Sequence, residues 1–163
     1  MNDEKMIIER LGHYTSWLDT LKDIKEIRLY HPIAEGKWSA AEIIAHIAKW
    51  DIHLREVVLP AVRNREGMTF PDFEPFNQQA SDYAKSGLPF AELLTQAKSA
   101  RLLLVEELEA MPLDRLTMPL TSNGETHCPF TGAPYSLLYT IEEFTLHDHH
   151  HQEQVRQYLQ QTV

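Results

Sequence analysis

Histidine is the most unusual feature of this sequence, which contains nine histidines among its 163 residues. Four of them are crowded between positions 147 and 151, interrupted only by Asp148. A neutral imidazole nitrogen is a strong ligand for divalent ions such as Zn²⁺ and Ni²⁺. His147 and His151 are four residues apart, so on a helix both rings project from one face and can take two coordination positions without backbone strain.

The same two histidines fall in the apolar stripe of the helix that is expected to carry them. At 100° per residue, His151 lies about 40° and Phe144 about 60° from His147 on the helical wheel. His150 falls at the edge of this stripe, and His149 falls on the opposite, solvated side. A pair of buried imidazoles needs polar partners, so a shared metal ion stands level with two separately hydrogen-bonded core histidines as an interpretation of the pair.

A third candidate ligand, His46, lies on an earlier helix with Ile43, Trp50 and Leu54 on its face. His53 lies close to the same face. Three protein ligands leave a coordination position open for water or substrate, which is typical of catalytic rather than structural sites. We therefore predict a metal site made of His46, His147 and His151.

Two further roles are predicted around this site. His150 and His53 are candidate general bases, because the unperturbed pKa of histidine lies near neutrality. Asp148 and Glu143 are candidates for hydrogen bonds to the ligand rings. For His46 taken alone, a hydrogen-bonded core histidine is the favoured interpretation.

Four segments with helical periodicity must position these residues: 2–21, 39–59, 89–111 and 135–160. Ser39 and Glu42 form a capping box at the start of the second segment, and Pro60 is expected to end or kink it. Together they predict an all-α fold, a four-helix bundle with long connecting loops, in one domain over residues 1–163. A short additional helix is expected within 70–86, with Phe70, Phe73 and Phe76 covering one end of the bundle.

Composition excludes several classes of function. Hydrophobic residues make up 43% and charged residues 24% of the chain, and the formal net charge is −9. That charge repels a nucleic-acid backbone, so no nucleic acid is expected as a partner. The longest apolar runs are too short to span a membrane, and neither a membrane partner nor a signal peptide is expected. The single cysteine, Cys128, suits a reducing compartment, and we expect a cytoplasmic protein.

Two motifs carry a family resemblance. KWSAAEIIAHIAKWD and HDHHHQEQV resemble the motifs of the DinB/YfiT-like superfamily, which opens its second helix with Trp-Ser-x-x-Glu-x-x-x-His and has a later His-x-x-x-His. The resemblance implies a four-helix bundle, metal ligands at His46, His147 and His151, nickel or zinc as the ion, and a homodimer. Activities of relatives include S-transfer with bacillithiol-type thiols and mycothiol-dependent isomerisation. The additional His149, His150 and His53 depart from the commonest pattern.

The resulting hypothesis is a metal-dependent enzyme that acts on a small-molecule substrate, with S-transfer from a low-molecular-weight thiol favoured by the resemblance. A metal-dependent hydrolase and a non-enzymatic metal-binding or stress-related protein are the alternatives. The apolar run 102–105 indicates either a helix buried on two sides of one bundle or a face for a homodimer.

Overall fold

Helices account for all the regular structure in the computed structural model of the protein, which describes residues 3–161. Within those residues β structure is limited to isolated bridges. In chain order the helices are α1 (Asp3–Gly12), α2 (Tyr14–Asp19), α3 (Glu26–Tyr30), α4 (Ala40–His53), a π-helical segment (Leu54–Val58), α5 (Leu59–Arg63), α6 (Phe73–Ala84), α7 (Phe90–Glu109), α8 (Leu113–Thr117) and α9 (Leu137–Gln161).

Four helical rods form the bundle, which confirms the predicted fold class. The first is α1 with α2, the second runs from α4 through the π-helical segment to α5, and α7 and α9 are the third and fourth. The short helix expected within 70–86 is α6, which packs on α4. In the described part of the chain, no helix combines the length and apolar composition that a bilayer span requires.

The predicted capping box fixes the start of α4. The Glu42 backbone N–H donates to the Ser39 hydroxyl and the Ser39 N–H donates to the Glu42 carboxylate, both at 3.2 Å. The Ser81 hydroxyl on α6 donates a further hydrogen bond of 2.5 Å to Glu42. Because His46 follows Glu42 by about one turn, this buried contact also helps to fix the direction in which the His46 side chain projects from α4.

Pro60 does not end the second rod, which continues to Arg63 beyond the predicted bound at Leu59; of the two expected outcomes, an end or a kink, the end is excluded. Proline lacks a backbone N–H, and its ring clashes with the carbonyl four residues earlier. The turn before it is wider, because the Leu59 N–H donates to the Leu54 carbonyl, five residues back. This π-helical turn accommodates the proline within a continuous rod. Leu59 and Val62 are fully buried, so core packing favours continuation to Arg63.

The first rod is also shorter and less regular than the predicted segment 2–21, of which Asn2 lies outside the described residues. Its helix is interrupted at His13 and ends at Asp19. The Thr15 hydroxyl donates to the Gly12 carbonyl at 2.9 Å, and the Thr20 hydroxyl donates to the Trp17 carbonyl at 2.6 Å. These side chains compete for backbone acceptors at the two points where the helix changes.

The apolar run on α7 is not buried on two sides of this chain. Leu104 is fully buried, whereas Leu102 and Leu103 are 49% and 40% exposed. The homodimer face stays a prediction.

Two clusters of buried apolar side chains fill the bundle. One involves α2, α3, α6, the first parts of α4 and α7, and the end of α9. The other involves α1, the π-helical segment, α5, α8, the second half of α7 and the start of α9. Along α4, α7 and α9 the change from one cluster to the other falls at Asp51, Arg101 and Asp148, respectively.

These three residues form a buried charged layer. The Arg101 guanidinium donates to both oxygens of Asp51 at 2.9 and 3.0 Å and to both oxygens of Asp148 at 2.7 and 3.1 Å. It also donates to the Leu11 carbonyl at 2.9 Å and lies 4.3 Å from the centre of the Tyr14 ring. Burial opposes the charge, but the two carboxylates raise the pKa of Arg101 above its usual range, so the side chain stays cationic.

Replacing Arg101 with Met tests this layer. We expect the free energy of unfolding of the metal-free protein to fall by about 3–5 kcal/mol, because two buried carboxylates lose their cation. Arg63→Met is the matched control: Arg63 pairs with Glu107 at 3.0 Å, but both side chains are partly exposed, so its loss is expected to be about 0–1 kcal/mol. Equal losses in chemical denaturation would contradict the role assigned to the layer.

Candidate metal centre

The structure brings together the three histidines that the sequence singled out. His46 Nε2 on α4 lies 3.1 Å from His147 Nε2 on α9, which lies 3.0 Å from His151 Nε2. One ligand atom from each ring lies within 4.8 Å of those of the other two. His46 is 4% exposed, and the other two rings are partly buried.

The hydrogen bonds around His46 define its tautomer. Asn77 Oδ1 on α6 lies 2.9 Å from His46 Nδ1 and accepts a second hydrogen bond of 2.9 Å from Trp50 Nε1. Since the indole N–H is only a donor, the Asn77 atom that faces it is the carbonyl oxygen. His46 Nδ1 therefore carries the proton, and the Nε2 lone pair points toward His147.

His151 is oriented in the same way by its own helix. Its Nδ1 lies 2.8 Å from Gln154 Oε1, which leaves Nε2 free of a proton and directed at His147. Burial is the main cause that lowers the pKa of all three rings, to about 4 for His46 and about 3 for His147. The imidazoles are therefore neutral at pH 7, which is the form that binds metal ions.

This donor set fits a divalent cation. His147 Nε2 carries at most one proton, so it can donate to either His46 or His151 but not to both. A cation among the three nitrogens satisfies every lone pair. In a tetrahedral zinc site with bonds of about 2.0–2.1 Å, ligand nitrogens lie roughly 3.3 Å apart, close to the two Nε2–Nε2 distances from His147 to His46 and to His151.

A cavity of about 640 Å³ opens from the His46 and His147 side of this cluster. That volume suits a small organic molecule. His151 instead borders a smaller pocket of about 230 Å³ beside Trp38. A ligand in the large cavity can therefore approach the cluster past His46 and His147.

Comparison with known proteins assigns the family. The sequence model of the DinB superfamily matches residues 7–155. This chain belongs to the DinB superfamily. The search of curated protein sequences gives no match.

A solved structure shows the same fold as this DinB-superfamily protein. YfiT from Bacillus subtilis aligns with a TM-score of 0.76 and 13% sequence identity, covering 99% of this chain and 89% of that chain. YfiT is described as a probable metal-dependent hydrolase with an unusual four-helix bundle topology. The likeness agrees with the predicted bundle.

Neither predicted general base lines the cavity: within residues 3–161, His53 and His150 are absent from its walls. His53 Nε2 donates to the Thr69 carbonyl at 2.7 Å, because the ring turns toward the segment that follows α5. His150 is exposed, with its ring centre 5.5 Å from that of His151. Their catalytic role stays a prediction, and His149 is solvent-exposed as expected.

The hydrogen-bond role predicted for Asp148 is wrong. Its carboxylate is engaged by Arg101 on the side of α9 that faces the charged layer, so it does not hold a ligand ring. Glu143, the other candidate, lines the cavity. The amide oxygens of Asn77 and Gln154 support the rings instead. Gln154 is detectable in sequence because it follows His151 by three residues on one helix, whereas Asn77 has no such signal.

Asn77→Ala is expected to weaken Zn²⁺ binding about 10- to 100-fold, because the His46 ring loses the acceptor that fixes its tautomer and orientation. Competition with a chromogenic chelator measures the affinity. Gln79→Ala, an exposed change on the same helix, is the control and should leave it unchanged. Equal affinities for wild type and Asn77→Ala would exclude this role.

Proposed function

We propose that this DinB-superfamily protein is a metal-dependent enzyme in which His46, His147 and His151 hold one divalent ion, Ni²⁺ or Zn²⁺ being favoured by the family resemblance and compatible with imidazole ligands. The observation that carries the proposal is the convergence of three Nε2 atoms at the inner side of a cavity large enough for a small-molecule substrate. A buried, purely structural site would have no such cavity beside it.

The chain's own groups prepare this site for chemistry. An ion bound there supplies a Lewis acid that lowers the pKa of a thiol or a water molecule. Asn77 and Gln154 hold the rings of His46 and His151 in one orientation. The partly buried position of the rings keeps them neutral and limits competition from bulk water.

For the reaction itself, we propose S-transfer. The sulfur of a low-molecular-weight thiol forms a bond to an electrophilic carbon of the substrate, the thiol proton is released, and the leaving group departs with its electron pair. The family resemblance supports this assignment. His150 and His53 stay the proposed proton acceptors, acting through water or after side-chain movement, since neither lines the cavity in the described chain.

Hydrolysis is the second candidate, and the observation that favours it is the fold shared with YfiT, which is described as a probable metal-dependent hydrolase. Water then replaces the thiol as the attacking group at the same site. We also propose that the protein is a homodimer, as the family resemblance implies, and that it is cytoplasmic, as its single cysteine suggests.

Untagged protein tests the proposal. Wild type loaded with Zn²⁺ or Ni²⁺ is assayed for consumption of cysteine in the presence of 1-chloro-2,4-dinitrobenzene, and separately for hydrolysis of 4-nitrophenyl acetate. We expect metal-dependent turnover in the thiol assay, and loss of both bound metal and turnover in His46→Ala, because a ligand is removed. Turnover in the ester assay alone would replace S-transfer with hydrolysis.

His149→Ala is the matched control, an exposed histidine within the same sequence cluster. It should retain the metal and the activity of wild type. Equal, low metal content in wild type and His46→Ala would refute the ligand assignment, and activity that survives removal of metal would refute the mechanism.

A further inference from the structure

The charges on the walls of the large cavity are of one sign. Glu125 and Glu143 line it, and no lysine or arginine is among its lining within residues 3–161. Both carboxylates are exposed, and neither forms an ion pair in the described part of the chain. Burial and then Cys128 raise the pKa of the Tyr135 phenol, and Glu125 and Glu143 add smaller contributions in the same direction. The rim therefore carries a negative potential that repels anions.

Glu143 has a fixed relation to the metal centre. It precedes His147 by four residues on α9, and Tyr139 precedes Glu143 by four, so the three side chains follow one another along one helix face. Consecutive positions of this kind are about 5–6 Å apart. The carboxylate therefore lies one turn outward from the ligand ring.

Glu125 belongs to a loop that is hydrogen-bonded in place. The Ser122 N–H donates to the Glu125 carbonyl at 2.9 Å, and Asn123 Oδ1 accepts from the Phe70 N–H at 2.7 Å. Gly67 allows the two segments to meet, since a Cβ there would lie 2.3 Å from Thr121 Oγ1. The loop thus forms a fixed part of the cavity wall.

Six aromatic side chains form a large part of the remaining wall. Trp50 is near its centre, with ring centroids 5.6 Å from Phe73 and 6.2 Å from Phe144. The six aromatic residues that line the cavity are Trp50, Phe70, Phe73, Tyr135, Tyr139 and Phe144. Aromatic faces bind apolar groups and attract organic cations through the ring quadrupole.

We infer that this cavity selects a substrate in which an organic cation, such as a substituted ammonium group, is joined to an apolar body. As a statement about a substrate, the inference rests on the proposed function. The cation lies at the rim between Glu125 and Glu143, and the apolar body lies against the aromatic wall. The electrophilic centre points inward to the histidines, away from the cationic group, which a bound divalent ion would repel.

Three probes with one phenylpropyl body test the charge preference by isothermal titration calorimetry. They are 3-phenylpropyl-trimethylammonium, neutral 3-phenylpropan-1-ol and anionic 3-phenylpropane-1-sulfonate. The quaternary ammonium has no lone pair, so it cannot act as a metal ligand. At low salt, wild type should bind the cation at least about 10-fold more tightly than the alcohol, and the sulfonate most weakly, a preference that falls as salt is added.

In the double variant Glu125→Gln/Glu143→Gln, the affinity for the cation should come within about two-fold of the affinity for the alcohol, because the attraction of the two carboxylates for the ammonium group is removed. Glu109→Gln/Glu142→Gln removes the same total charge from exposed positions outside the cavity lining and should keep the wild-type preference. Equal binding of cation and alcohol by wild type overturns the inference. So does an equal loss of preference in both double variants, which would show an effect of net charge alone.

The same titrations on metal-free protein separate this inference from the proposed function. The preference for the cation does not require the ion, so it should persist without metal. Metal-dependent turnover with no cation preference refutes the inference and leaves the function standing. A cation preference without any metal-dependent turnover refutes the function and keeps the ligand class assigned to the cavity.

Discussion

A buried arginine between two carboxylates holds the ligand-bearing helices of this protein together. Arg101 on α7 binds Asp51 on α4 and Asp148 on α9, and the three residues separate the two apolar clusters of the bundle. Asp148 directly follows His147 in the chain, so its contact with Arg101 also sets the height and rotation of α9 at the histidine cluster. A charged layer of this kind permits little sliding, because any shift leaves a buried charge without its partner.

On this framework, the histidine cluster is arranged for a cation before one arrives. Amide oxygens bind the Nδ1 protons of His46 and His151, and burial keeps the rings neutral, so lone pairs converge where they cannot all find hydrogen-bond donors. Such an arrangement costs stability in the metal-free protein, and metal binding relieves it. The cavity beside the cluster has two kinds of lining. Aromatic and acidic side chains line its outer part, and the neutral imidazoles of His46 and His147 lie at its inner end.

The convergence of the three histidines is predictable from sequence because each belongs to a strong local pattern. His147 and His151 share a helix face at a spacing of four, and the Ser39 capping box fixes the phase of α4. Asn77 is not predictable in this way, since its role depends on how α6 packs across α4, which no local pattern encodes. Arg101 interrupts an apolar stripe and could be noticed, but its pairing with two distant aspartates requires the assembled bundle. At Pro60 the local rule allows either an end or a kink, and the choice depends on the buried Leu59 and Val62, which favour a widened turn over a helix end.

The central claim is that one divalent ion is bound by three imidazoles from two separate rods. Anomalous diffraction from crystals of the zinc-loaded protein, measured at the zinc absorption edge, tests it most directly. The account predicts one strong peak bonded to Nε2 of His46, His147 and His151 at about 2.0–2.1 Å, with the remaining coordination toward the large cavity. A peak held by His149 and His150 at the surface, with the buried triad empty, would contradict it.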